Sequence, residues 1–254
     1  MHSPTLFFKD NEDHHPDLRL ICFHYAGGGS SIYQTWQKEF PTGIQVCPVQ
    51  LPGRENRFVE QPLESLSAII AAILPEMRSM IRTPFAFFGY SMGALIAFEL
   101  ARELFRQYQV SPTHLFVSAK NAPHLPLLSR ELHRLSDSDF TEELRKMQGT
   151  PEILLQNEEL MKMVLPRIRA DFKVCETYQF IEQDKLKCPL TVFGGTHDPR
   201  VSVDALAEWG QYTEGDVHIQ LFEGNHFFIH EQQSAIISAI LNQLKLETQP
   251  YGIR

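Results

Sequence analysis

The chain has 254 residues, 43% of them hydrophobic, and a formal net charge of −8. That length suits one large α/β domain or two small ones, and the apolar share, 18 Phe included, is ample for a core. The acidic balance argues against a nucleic-acid binder, no run approaches the ~18 apolar residues of a membrane span, and MHSPTLFFKDNEDHHPD lacks the basic-then-apolar order of a signal peptide.

Short β-rich runs alternate with longer helical patterns, which predicts a parallel sheet flanked by helices. In chain order the strands are expected at RLICFH (19–24), IQVCPVQ (44–50), FAFFG (85–89), HLFVS (114–118), LTVFG (190–194) and HIQLF (218–222). Several are almost continuously apolar, as expected where both faces of a sheet are covered. Ser65 is placed to cap a helix over 66–80, with Pro75 expected to kink it or begin a new turn. Residues 93–107 carry apolar positions at helical spacing, Ser202 is set to cap the next helix, and 233–245 reads as a C-terminal amphipathic helix. One stretch breaks this rhythm. From about 121 to 187 no strand is legible; a Pro/Leu-rich entry, NAPHLPLLS, leads into helical patterns near 139–147, 151–156 and 158–178, with Ser136 and Asp139 resembling a capping box. An all-helical insertion at this point is expected to form a lid within a single domain spanning 1–254.

The four cysteines have neither metal nor redox spacing, so reduced, mostly buried thiols in a cytoplasmic protein are expected, with no bound metal.

The chemistry centres on FFGYSMGAL (87–95). Gly89-x-Ser91-x-Gly93 is a weak pattern alone, and a serine at an ordinary turn would also satisfy it. Its setting is stronger, because a strand precedes it and a helix follows, as a nucleophile elbow requires. A helix beginning just after Ser91 would also aim its unpaired N–H groups at the site. The partners should follow in the order acid, then histidine. Asp198 lies in GGTHDPRV after the fifth strand, and His226 in EGNHFF after the sixth. Both fall at carboxyl ends of parallel strands, where open α/β sheets place their sites. Asp198 alone would read as a turn residue beside Gly and Pro. His197 abuts the acid and His230 falls a turn late, so both are weaker bases. For an oxyanion hole, Met92 N–H follows the nucleophile. The second donor is expected from HYAGGG (24–29), at Ala26 with Tyr25 as rival, unless that loop is only a flexible glycine turn.

With these residues in place, the chain resembles the type II thioesterases of non-ribosomal peptide and polyketide biosynthesis, members of the α/β-hydrolase fold, from about Leu18 to Leu244. Its marks are HYAGGG (24–29), QLPGRENR (50–57), FFGYSMGAL (87–95), LSDSDF (135–140), LPRIRADF (165–172), GTHDP (195–199) and EGNHFF (223–228). His24 departs from the proline of many relatives, and an effect on loop stiffness is expected. The resemblance implies a cytoplasmic serine hydrolase, a monomer without cofactor. It would remove acyl groups from the phosphopantetheine arm of carrier proteins, for editing or release. Arg54 and Arg57 would then meet the acidic carrier or the arm's phosphate, although an ion pair with Glu55 explains them as well. In the insertion, Met161, Met163, Leu165 and Phe172 could line an acyl pocket or simply pack the lid. Arg167 and Arg169 suit surface ion pairs or carrier docking. Two rivals stand: a small-ester carboxylesterase with the same triad, and a non-catalytic relative that binds a ligand or partner.

Overall fold

The computed structural model describes residues 16–125 and 131–247. The leader reading at the N-terminus lies outside them, and the Pro/Leu-rich entry is described only as far as Leu125. Six strands form one sheet: β1 (Leu18–Phe23), β2 (Ile44–Pro48), β3 (Phe85–Tyr90), β4 (His114–Ser118), β5 (Leu190–Gly195) and β6 (Val217–Phe222). Their order is β2-β1-β3-β4-β5-β6, and every neighbouring pair is parallel. Among the described residues seven α-helices accompany them: α1 (Leu66–Met80), α2 (Met92–Tyr108), α3 (Asp137–Met147), α4 (Glu152–Leu155), α5 (Glu158–Glu176), α6 (Val203–Ala207) and α7 (Gln233–Glu247). Among the described residues no helix is long and apolar enough to cross a membrane, and none of the four cysteines is in a disulfide.

The strand period of two explains the apolar runs. In β1, Ile21 and Phe23 enter the layer shared with α1 and α2, whereas Leu20 and Cys22 enter the layer under α7. In β3, Phe85 and Phe87 face the first layer and Ala86, Phe88 and Tyr90 the second. Covering both faces keeps these strands apolar apart from Arg19, which is only partly buried. β6 is different: it ends the sheet, and most of its residues are exposed.

Helix α1 runs unbroken through Pro75, so the expected new turn does not begin there. Pro75 and Ala71, whose carbonyl loses its partner, are both exposed, and water can satisfy that group. The opposite face, with Ile69, Ile73 and Met77, stays buried. Ser65, Ser136 and Ser202 each accept a hydrogen bond from the N–H three residues on, the capping expected of them. Asp139 answers through the Ser136 hydroxyl at 2.8 Å.

Between β4 and β5 the helices α3, α4 and α5 build a small core of their own from Leu132, Phe140, Leu144, Leu155, Met161, Leu165 and Ile168. Phe140 is fully buried there. Its ring meets Phe172 edge-on at 5.3 Å and lies 4.6 Å beneath the Arg169 guanidinium. Arg169 also donates to the carbonyls of His133 and Leu135 and pairs with Asp137, so it is an internal brace of the insertion. Phe140→Ala is expected to destabilise the protein by about 3–5 kcal/mol, the range for deleting a buried aromatic. Urea unfolding read by tryptophan fluorescence and by circular dichroism checks this.

Candidate active site

The strand order reverses between β1 and β3, because the chain leaves β1 for β2 on one side and returns to β3 on the other. A crevice opens outside the strand ends at such a point. Ser91 follows β3 directly, with φ 54° and ψ −110°, a conformation that L residues rarely adopt. The two glycines make that turn possible. A Cβ on Gly89 would stand 2.3 Å from Gly93 O, and one on Gly93 would stand 2.1 Å from Phe23 O. Both obstacles are backbone and cannot swing aside.

The loops after β5 and β6 bring the other two candidates. Thr196 N–H donates to Phe222 O and His197 N–H to Gly224 O, both at 2.9 Å, which continues the parallel ladder beyond the strands and holds the two loops together. His226 Nδ1 lies 2.7 Å from Asp198 Oδ2, and His226 Nε2 lies 3.1 Å from Ser91 Oγ. With Nδ1–H donated to the carboxylate, the Nε2 lone pair faces the serine hydroxyl. The Asp198 side chain is fully enclosed, and its second oxygen accepts the Arg200 N–H at 2.9 Å. From below, the Tyr90 hydroxyl donates to His226 O at 2.7 Å and fixes that loop. His197 points instead to Glu223, and His230 Nε2 pairs with the Tyr25 hydroxyl at 2.9 Å, so neither meets Ser91.

Met92 opens α2, so its N–H is among those a helix leaves unpaired. Across the crevice, Tyr25, Ala26 and Gly27 line the same cavity as Ser91 and His226. The Ala26 N–H makes no backbone hydrogen bond among the described residues, whereas its neighbours on the loop are tied: Gly27 N–H to Asp171 Oδ2 at 2.7 Å and Gly28 N–H to Tyr25 O at 3.0 Å. The cavity holds about 180 Å³ and runs under the insertion, with Leu132, Leu144, Ile168 and Phe172 as apolar wall.

Two sequence expectations change here. Arg54 does not face a carrier: its side chain is 1% exposed and forks onto Asp171 at 2.7 and 2.9 Å, with Gly28 O at 3.2 Å and Pro52 O at 3.3 Å. Arg57 is likewise turned inward, onto Glu60 and the Gln50 carbonyl, so neither arginine pairs with Glu55. Glu55 instead accepts from the Ser30 and Ser31 hydroxyls at 2.7 and 2.6 Å. Met161 packs inside the insertion's own core, whereas Phe172 does reach the cavity.

Asp171 is the residue that sequence reading missed. It carries the loop of Ala26 and the insertion on one carboxylate. Its signal was available: Ile168, Asp171 and Val174 fall three apart on one buried face of α5, and an acid on an apolar stripe implies a buried partner.

Residues 18–244 match the thioesterase-domain family, nearly nine-tenths of the chain. The chain belongs to the thioesterase family. This thioesterase is 44% identical to the gramicidin S biosynthesis protein GrsT of Aneurinibacillus migulanus, over 96% of its own length and 95% of that protein's. It is 36% identical to the thioesterase PikA5 of Streptomyces venezuelae, covering 89% of this chain and 81% of that one. Among solved structures it resembles the type II thioesterase BorB from the borrelidin biosynthetic cluster, with a TM-score of 0.86, 36% identity, and 96% and 99% of the two chains covered. The α/β-hydrolase fold and the resemblance to type II thioesterases are therefore shown.

The buried pair sets one expectation for this thioesterase. Arg54→Met leaves the Asp171 carboxylate enclosed without its counter-charge and should cost about 3–5 kcal/mol. Arg54→Met with Asp171→Leu should recover much of that stability but not the hydrolytic rate, since Gly27 N–H still loses its acceptor; urea midpoints and steady-state rates of the three proteins check it.

His24 sets another. Its ring is 1% exposed, Nδ1 lies 2.9 Å from Tyr25 O, and Nε2 has no partner. Burial first, and the Arg54 charge second, push its pKa down to about 4. The unfolded chain therefore binds the proton more readily, and stability from this group is full above about pH 6.5 and lost as pH falls toward 4. His24→Asn, which retains a donor for Tyr25 O, should flatten the fall of the urea midpoint between pH 6.5 and 4.

Proposed function

We propose that this thioesterase hydrolyses acyl thioesters on the phosphopantetheine arm of carrier proteins in a peptide or polyketide synthase, clearing stalled chains or releasing finished ones. The observation that carries the reading is the unbroken hydrogen-bond chain from Ser91 through His226 to Asp198, at the foot of a largely apolar cavity. The names of its relatives support the pathway: GrsT is a gramicidin S biosynthesis protein, BorB a type II thioesterase of a biosynthetic cluster, and YbtT, 29% identical, a type II thioesterase of an NRPS/PKS pathway.

On this reading Ser91 Oγ attacks the thioester carbonyl as His226 Nε2 takes its proton. Asp198 stabilises the resulting imidazolium and keeps the ring oriented. Met92 and Ala26 N–H groups receive the negative charge that gathers on the carbonyl oxygen. The C–S bond breaks, the arm leaves as a thiol with the proton from His226, and the acyl group stays on Ser91. Water then attacks that ester, gives its proton to Nε2, and the carboxylic acid departs as Ser91 is reprotonated. The apolar wall under the insertion, Phe172 included, would hold the acyl chain, with the insertion acting as lid. No cofactor enters the scheme. The enzyme would work in the cytoplasm beside such a synthase, as a monomer.

Ser91→Ala is expected to lower release of a short acyl group from a loaded carrier protein by at least ~10³-fold while folding normally. Wild type should prefer the loaded carrier to a simple ester of the same acid. Ester turnover with an untouched carrier would mark a carboxylesterase, and activity that survives in Ser91→Ala would remove Ser91 from the chemistry.

A further inference from the structure

The cavity above Ser91 is not uniformly apolar, because Lys120 and Arg200 stand in its wall. Lys120 also lines a second cavity, shared with His124 and Tyr178, so it sits where the two adjoin. Its backbone is held at Ala119 and Lys120, and the Asn121 side chain ties down the next residue. Ala119 N–H donates to Phe193 O at 2.9 Å, Trp209 Nε1 to Lys120 O at 2.7 Å, and Asn121 Nδ2 to Arg200 O at 3.3 Å. Ala119 has φ 51°, the left-handed conformation at a residue that is not glycine. Such strain persists only where the surroundings over-determine it, and here it sets the point from which the Lys120 side chain departs.

The ammonium at the end of that side chain has no ion pair or hydrogen bond among the described residues, and Lys120 lines both cavities. The acid that shares both cavities is already committed. The Glu176 carboxylate accepts from Leu132 N–H, His133 N–H and His133 Nδ1 at 2.9, 3.0 and 2.5 Å. Burial pushes the Lys120 pKa down, a sign that the wall solvates its charge poorly. A cation so placed gains most from an acceptor that a ligand brings with it. A plain alkyl chain brings none.

We infer that Lys120 makes the acyl cavity select acyl groups carrying a hydrogen-bond acceptor beyond the thioester carbonyl, a ketone, an amide carbonyl or a carboxylate, over alkyl chains of equal length. This specificity rests on the reading of Ser91 as the nucleophile of a thioester hydrolase. It assigns Lys120 to recognition of the substrate; the bond-breaking steps are unchanged.

The test uses a carrier protein loaded with butyryl, acetoacetyl or succinyl groups, all of four carbons. The kcat/KM ratio of acetoacetyl to butyryl, and of succinyl to butyryl, is compared between wild type, Lys120→Met and Lys120→Arg. Comparing ratios across variants cancels the intrinsic reactivity of each thioester. Lys120→Met should lower the ratios by roughly tenfold, the scale of a hydrogen bond to a charged group, and Lys120→Arg should largely keep them. An equal fall for both acyl groups identifies a neutral acceptor as sufficient, and a larger fall for succinyl identifies a preference for charge. Ratios that do not move in Lys120→Met overturn the inference. If wild type releases no acyl group from any carrier, the hydrolase reading has failed instead. Equilibrium binding of the same three carriers to Ser91→Ala, with and without Lys120→Met, then decides the matter. An acceptor preference that vanishes with Lys120 upholds the pocket's selectivity, and equal binding refutes it. Thermal denaturation of each variant separates lost folding from lost selectivity.

Discussion

The site depends on one enclosed carboxylate. Asp171 Oδ2 receives both the Arg54 guanidinium and the Gly27 N–H, so a helix of the insertion, the turn after β2 and the loop after β1 meet at a single oxygen. Charge burial on this scale stabilises a protein little, because desolvation consumes most of the attraction. Its effect is positional. The loop that offers Ala26 to the crevice has three glycines in a row and would otherwise be loose. Glu55 pins the far end of the same loop through the two serine hydroxyls. The loop is thus held from both sides by acids that are themselves spoken for.

Around that fixed point the sheet supplies rigidity and the turns supply strain. Ser91 and Ala119 both adopt positive φ, and both follow central strands whose neighbours bond them on either side. Ser91 N–H donates to Ser118 O at 2.8 Å, so the two strained turns are joined directly. Such conformations cost on the order of 1–3 kcal/mol each and are kept only where packing offsets them. The aromatic layer beneath supplies that packing. Tyr90 packs against Phe228, and Phe88 against Trp36 and Phe193, all fully buried.

Much of this was legible in the sequence, for definite reasons. The strands announced themselves because burial on both faces demands continuous apolar residues. Ser91 was legible because its two glycines are local, and Asp198 and His226 because strand ends mark sites in an open parallel sheet. What stayed hidden was long-range. Arg54 and Asp171 are 117 residues apart, and nothing near Arg54 says which acid it meets; Glu55, its neighbour in sequence, was the natural guess and is taken by Ser30 and Ser31. Met161 and Phe172 looked alike as apolar residues of one helix, yet Met161 is spent inside the insertion's core, whereas Phe172 packs at its edge and also reaches the cavity. Which face of a helix meets which neighbour is settled by tertiary packing, and periodicity alone is silent about it.

The insertion meets both rims of the crevice: Asp171 binds Arg54 on one, and on the other Gly149 lies so close to the tip of the Phe227 ring that a Cβ would stand 2.1 Å from it. Recombination between relatives is constrained accordingly. A foreign helical segment grafted between β4 and β5 could bring a differently shaped acyl pocket. It would have to bring an aspartate in register with Arg54, and any side chain opposite Phe227 would have to be met by a shift of that ring. A crossover that separates the first pair would leave an orphan charge under the loop of Ala26, and one that separates the second would displace the ring next to His226, so these two contacts mark where a chimera is costly to cut.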